Sequence, residues 1–173
     1  MAELVAAIGV PHSPQFPSQH PKDGPSETAR TYRTVKEHLE AARPDAIVVV
    51  ANDHFNTFFL DNFPTFAIGL AEASFGPNDG TRMPRYDFPV HAGLAAHVLK
   101  AGMEEGIDFA VTQEFSVDHS MMVALHFLTD GVRVPVVPSG STPSSSRCRP
   151  RAAATGWARC SRARLPACPA ACG

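Results

Sequence analysis

The sequence predicts an α/β fold, a layered and mostly parallel or mixed central sheet with flanking helices, incomplete at its C-terminal end. Three observations carry this reading. Short aliphatic runs of strand length alternate with stripes of helical period across the first 138 residues. The first unit runs strand, helix, strand, a connection that joins parallel neighbours. Beyond Pro138 the chain has no Val, Ile, Phe or Met, so it offers no further apolar strand to the sheet.

Taken in order, "ELVAAIGV" (3–10) is a short apolar run that stops at Pro11, His12 and Ser13, as a buried strand does. A helix follows from Pro25, with Tyr32, Val35, Leu39 and Ala42 on one stripe and Pro44 as its stop. "DAIVVVAND" (45–53) reads as a second buried strand and "PTFAIGL" (64–70) as a third. The Gly, Pro and Asn-rich stretch from Ser74 to Pro89 is expected to be an irregular loop. A helix from Pro89 to about Glu105 carries Leu94, Val98 and Ala101 on one face and ends at Gly106. "IDFAVTQ" (107–113) is the next strand, "DHSMMVALHFL" (118–128) a short helix and "VRVPVVP" (132–138) a last strand.

The chain of 173 residues is one domain's worth of material. No apolar run approaches the roughly 18 residues of a membrane span, and "MAELVAAIGV" lacks the basic start of a secretory signal. A cytoplasmic protein without a membrane or nucleic-acid partner is therefore expected. The formal charge of −2 averages two unlike parts. Residues 1–138 hold all 17 Asp and Glu against nine Lys and Arg, a net of −8, whereas residues 139–173 hold six Arg and no acid, a net of +6. The sequence thus divides into a domain over 1–138 and an Arg/Ala/Pro/Ser/Cys-rich tail over 139–173, expected to be disordered. All four cysteines lie in that tail, without the paired C-x-x-C spacing of a structural zinc site. The residue types that dominate it all have GC-rich codons, as out-of-frame translation of a GC-rich gene would give.

In a parallel strand, helix, strand unit the carboxyl ends of both strands emerge at one edge, where open α/β sheets bind ligands. His12 follows the first predicted strand and His54 the second, so their imidazoles can converge; His119, at a helix start after another strand, is placed to reach the same edge. Two neutral imidazoles suit Fe, Zn or Cu, and a histidine beside the metal suits proton transfer. His20, His38, His91, His97 and His126 read as structural or exposed, with His126 the foremost exception because it shares a helix face with His119. Arg82, Arg85 and Tyr86 in the long loop are candidates to meet a substrate carboxylate, although exposed loop residues are more often solvated. Phe55, Phe58 and Phe59 are available to wall a pocket beside His54.

"GVPHSP" (9–14), "ANDHFNTFFLDNFPTFAIG" (51–69) and "SVDHSMMVALHFL" (116–128) together resemble the class III extradiol ring-cleavage dioxygenases, the family of the protocatechuate 4,5-dioxygenase beta subunit and of 2,3-dihydroxyphenylpropionate 1,2-dioxygenase. The likeness covers about residues 4–138. It implies that Fe(II) is held by two histidines and a glutamate, that His12 and His54 are the two histidines, and that His119 handles protons or oxygen. It further implies a catechol-type diol opened next to its hydroxyls with O2, in aromatic hydrocarbon catabolism, and a homo-oligomer or a small partner subunit. Asp53, just before a ligand, is expected to orient it as a hydrogen-bond acceptor.

One departure matters. The family's glutamate ligand and a second acid–base histidine, in a Gly-Gly-x-Ser-His-like motif, lie downstream of the strand where this chain changes character, and no Glu or His follows His126. Impaired activity is the expectation. Two alternatives remain open: a non-enzymatic binding relative on the same fold, and a zinc-dependent hydrolase using the two histidines. Sequencing the DNA across codons 136–145 and past the stop is expected to show an alternative open frame encoding a Glu and a Ser-His motif. A single frame without such codons would contradict the out-of-frame reading.

Overall fold

The computed structural model describes residues 2–62 and 64–141. Its elements are α1 (Phe16–Gln19), α2 (Glu27–Ala42), β1 (Ile47–Asn52), β2 (Phe66–Gly69), β3 (Ala73–Gly76), β4 (Tyr86–Pro89), α3 (Ala92–Glu104), β5 (Phe109–Thr112), α4 (His119–Leu128) and β6 (Val136–Ser141). Four strands form one mixed sheet in the order β1-β6-β2-β5, and β3 and β4 form a separate antiparallel hairpin. β1 runs parallel to β6, β6 antiparallel to β2, and β2 parallel to β5. The last strand in sequence therefore inserts into the middle of the sheet.

Alternation along the strands separates two core layers. Phe66, Ile68 and Val137 turn to the layer built with Ala95 and Val98 of α3, while Ala67 and Val136 turn to the layer built with Met121, Met122 and Leu125 of α4. A third cluster joins α2 to α4, where Tyr32 and Phe127 stack at 4.3 Å. The α2 stripe of Tyr32, Val35 and Leu39 read from the sequence is the face that makes this contact. Ser26 caps the helix by accepting from the Ala29 N–H, and Arg43, in the left-handed region at φ 47°, ends it before Pro44.

The fold class holds, and three local expectations do not. Residues 3–10 are not a strand. They flank β1 across a groove of about 750 Å³ without a backbone ladder, and Leu4, Val5 and Ile8 are 57, 51 and 40% exposed. Apolar composition signals a preference for burial, but a strand also needs a neighbouring edge within hydrogen-bonding reach. The expected loop from Ser74 to Pro89 contains the β3–β4 hairpin, whose short strands leave too few residues for alternation to show. The last strand begins and ends later than expected, and its final residues Ser139, Gly140 and Ser141 pair with both neighbours. The boundary set at Pro138 thus falls inside β6; the rest of the predicted tail, 142–173, lies outside the described residues.

Ile68 is fully buried in β2 whereas Met103 on α3 is 64% exposed. Ile68→Ala is expected to lower unfolding free energy by about 2–5 kcal/mol in urea titration, and Met103→Ala to change it by less than about 0.5 kcal/mol. Equal effects would contradict the assigned core.

Candidate metal centre

His12 sits in an irregular segment rather than at a strand end, and a helix fixes it. The Tyr32 hydroxyl of α2 donates to the carbonyl of Pro11, the residue just before it. Burial pushes the Tyr32 phenol up to about 12, so it remains a protonated donor through neutral pH.

His54 follows β1 directly. Phe55 then takes a left-handed conformation at φ 60°, which turns the chain sharply, and the buried Asp53 carboxylate accepts from the N–H groups of Thr57 and Phe58. Asp53 therefore shapes the turn that follows His54. The acceptor on the His54 ring is Asp118, whose Oδ2 lies 2.9 Å from both the backbone N and Nδ1 of His54. Phe58 packs into the core against Phe115, while Phe55 and Phe59 are 41 and 56% exposed.

His119 arrives by a different route from the one expected. β5 runs opposite to β1, so its carboxyl end lies at the far edge of the sheet. Residues 113–118 cross back. Phe115 lies where Cβ atoms on Gly69 and Gly140 would clash, at 2.9 and 3.0 Å, and Val117 N–H donates to the Phe75 carbonyl of the hairpin. Asp118 then caps α4 by accepting from Ser120 N–H, and His119 is the first residue of that helix. Its Nδ1 lies 2.5 Å from Asp79 Oδ2, with its backbone N 3.1 Å from the same oxygen.

The three rings meet. One ring nitrogen from each of His12, His54 and His119 lies within 4.8 Å of the others. Ionised carboxylates only accept, so Nδ1 of both His54 and His119 carries a proton, which leaves Nε2 as the nitrogen each ring can offer to a ligand. The ring planes of His12 and His54 cross at 57° with centroids 5.5 Å apart, and those of His12 and His119 at 49° with centroids 6.0 Å apart. His54 and His119 instead stack at 4.6 Å with planes 19° apart. Burial, then the neighbouring His54 and His119, lower the His12 pKa against an opposing pull from Asp118, favouring the neutral imidazole that metals bind. Burial raises the Asp118 pKa, but hydrogen bonds from Ser120 and His54 outweigh it and keep the group below its ordinary value. A ring whose other nitrogen donates to a carboxylate is the usual arrangement of a metal-ligating histidine; His54 and His119 both show it, and together with His12 they make a donor set that fits a Fe(II), Zn or Cu ion. Among the described residues, no carboxylate shares the group that contains all three.

The other candidates stay outside this cluster. His126 Nδ1 lies 2.6 Å from the Tyr86 hydroxyl, and burial together with Lys22 lowers its pKa to about 4, so it fastens α4 to β4 as a neutral ring. Arg85 pairs with Asp87 and lies 3.9 Å over the Phe75 ring, and Arg82 is exposed. His38 bonds the Thr34 carbonyl, and His91 caps α3. Sequence reasoning missed Asp79, Asp118 and Tyr32 as partners of the histidines. For Asp118 a signal existed, since Asp before a short apolar run is a helix cap.

Comparison with known proteins gives the same grouping of residues a family. Residues 6–156 match the catalytic LigB subunit of aromatic ring-opening dioxygenase. The chain is 34% identical over 128 residues, 72% of its length, to a 2,3-dihydroxyphenylpropionate/2,3-dihydroxicinnamic acid 1,2-dioxygenase of Paraburkholderia phymatum. It is 35% identical over 114 residues, 65% of its length, to a protein of the same name from Cupriavidus necator. It covers 39 and 36% of those two relatives. The match over residues 6–156, with 34% identity to a relative across 72% of the chain, places this protein in the LigB family of class III extradiol dioxygenases.

Proposed function

We propose that this chain forms the part of an extradiol dioxygenase that positions Fe(II) through His12 and His54 for opening a catechol-type diol with O2. The gathering of one ring nitrogen each from His12, His54 and His119 within 4.8 Å carries the proposal, and the family resemblance divides them into two ligands, His12 and His54, and one proton-handling ring, His119. When bound, Fe(II) would supply a site where diol and O2 meet and exchange electrons. His12 offers a nitrogen made less basic by burial, and His54 offers Nε2 because Asp118 holds Nδ1–H. His119, with Nδ1 held by Asp79, would present Nε2 to the site and, as a neutral ring, take a proton from a diol hydroxyl and later return it. The relatives' names point to diols bearing a three-carbon acid side chain as the first substrates to try.

No Glu follows His126, so the 173-residue chain alone is proposed to hold iron weakly and to turn over slowly. Loss of partners behind a ligand typically costs roughly 10 to 100-fold in metal affinity, and loss of a ligand at least as much. A cytoplasmic location accords with the absence, among the described residues, of any helix long and apolar enough to cross a membrane.

Anaerobic titration with Fe(II), followed by oxygen uptake on a panel of catechols, tests the assignment. His12→Ala and His54→Ala are each expected to weaken iron binding by at least roughly tenfold, while His119→Ala retains iron and loses any oxygen uptake the parent shows. Unchanged iron binding in His54→Ala, or an equal loss in His119→Ala, would overturn the roles given to these residues.

A further inference from the structure

The three histidines differ in how they are held, and the difference points to a residue outside the motifs. His54 is gripped by one carboxylate oxygen that accepts both its backbone N–H and its Nδ1–H, each at 2.9 Å from Asp118 Oδ2. His119 is gripped in the same way by Asp79 Oδ2, at 3.1 Å from its backbone N and 2.5 Å from Nδ1. The two parallel rings are thus each tied at Nδ1 to a separate carboxylate, one from the residue before α4 and one from the segment after the β3–β4 hairpin's first strand.

The placement of Asp79 is built. Gly76 ends β3 against α4 so closely that a Cβ would stand 2.6 Å from both Met122 Cγ and the Val117 carbonyl oxygen. Asn78 then binds the crossing segment: its backbone N donates to the Val117 carbonyl at 3.0 Å, and its Nδ2 lies within 3.2 Å of the Ser116 carbonyl and 3.0 Å of Ser116 Oγ. The second Asp79 oxygen accepts from Thr81 N–H at 3.1 Å, which fixes the carboxylate plane. Burial pushes the Asp79 pKa up, but the hydrogen bonds from Thr81 and His119 outweigh it and leave the group below its ordinary value. The Asp79 and His119 side chains are only 13 and 14% exposed, so solvent competes little for the bond between them.

We infer that Asp79 is a positioning residue for His119, holding the Nδ1–H of its ring so that Nε2 turns to the His12 and His54 nitrogens. The inference deepens the proton-handling role proposed for His119. It assigns the orientation of that ring to a residue in none of the three motifs. Without Asp79 the imidazole can place its proton on either nitrogen and rotate about its side-chain torsions, and the fraction of rings presenting a bare Nε2 falls. A simple cap on α4 would need only the backbone bond, so the ring's protonation pattern separates the two roles.

The test reads the ring directly, without iron or turnover. In 15N-labelled chain, at a pH raised until the spectra show the His119 ring neutral, long-range 1H–15N correlations are expected to show His119 as the Nδ1–H tautomer. Asp79→Ala is expected to populate the Nε2–H form of His119 while leaving the His54 pattern unchanged, and Asp79→Asn to do so in part, since its amide keeps one acceptor oxygen. Circular dichroism melts of each variant report folding, and the Asn variant serves if the Ala variant fails to fold. An Nδ1–H tautomer retained in a folded variant, or a wild-type His119 in the Nε2–H form, would overturn the positioning role. Iron affinity in the Asn variant is expected to stay within about twofold of the parent. If iron binding proves independent of His12 and His54, the dioxygenase reading fails while the tautomer result for Asp79 stands or falls separately.

Discussion

One buried carboxylate couples the sheet to the helix that carries the site. Asp118 is 3% exposed and receives five hydrogen bonds: from Ser120 N and Oγ on one oxygen, and from His54 N, His54 Nδ1 and Asn56 Nδ2 on the other. Its first oxygen caps α4 and its second orients a ring on the loop after β1. An ionised carboxylate so buried persists because charge-assisted bonds replace its lost hydration. Removing it would leave the buried Ser120 N–H and hydroxyl unpaired, at about 1–3 kcal/mol each, and would release the part-exposed His54 ring. The start of α4 and the angle of His54 are consequently one structural decision.

The topology explains why such a coupling is needed. Because β6 joins parallel to β1 but antiparallel to β2, β5 delivers its carboxyl end to the edge away from His54. The chain must cross back before His119 can approach, and it does so over Gly69 and Gly140, where only the lack of a side chain admits Phe115. A hairpin then brackets the crossing segment, with Val117 bonded to Phe75 on one side and Asn78 to Val117 on the other. The site is therefore assembled from a turn held by α2, the end of β1 and the start of α4, rather than from three equivalent strand ends.

Much of this was legible in the sequence, for reasons that differ by residue. The α2 stripe and its stop at Pro44 were readable because helical period and proline chemistry act locally. The histidines were readable as a set, although the strand-end logic that grouped them holds only for His54. What escaped was long-range. Neither the insertion of β6 between β1 and β2 nor the reversal of β5 leaves a mark on the strands' own residues, since both depend on pairing partners far away in the chain. Asp79 escaped for the same reason, lying 40 residues from the ring it holds, in a stretch whose glycines and proline read as loop. Asp53, which adjacency in sequence suggests as support for His54, reaches forward with its short side chain to the turn's own N–H groups.

The central claim is that Asp118 sets the geometry in which His54 can bind a metal ion. Its most direct test is equilibrium metal affinity of the folded Asp118→Asn chain against the parent, measured by anaerobic Fe(II) titration with circular dichroism to confirm folding. The exchanged amide presents a donor to either Ser120 or His54, so affinity should fall by roughly 10 to 100-fold with helix content retained. Unchanged affinity in a folded variant would contradict the account.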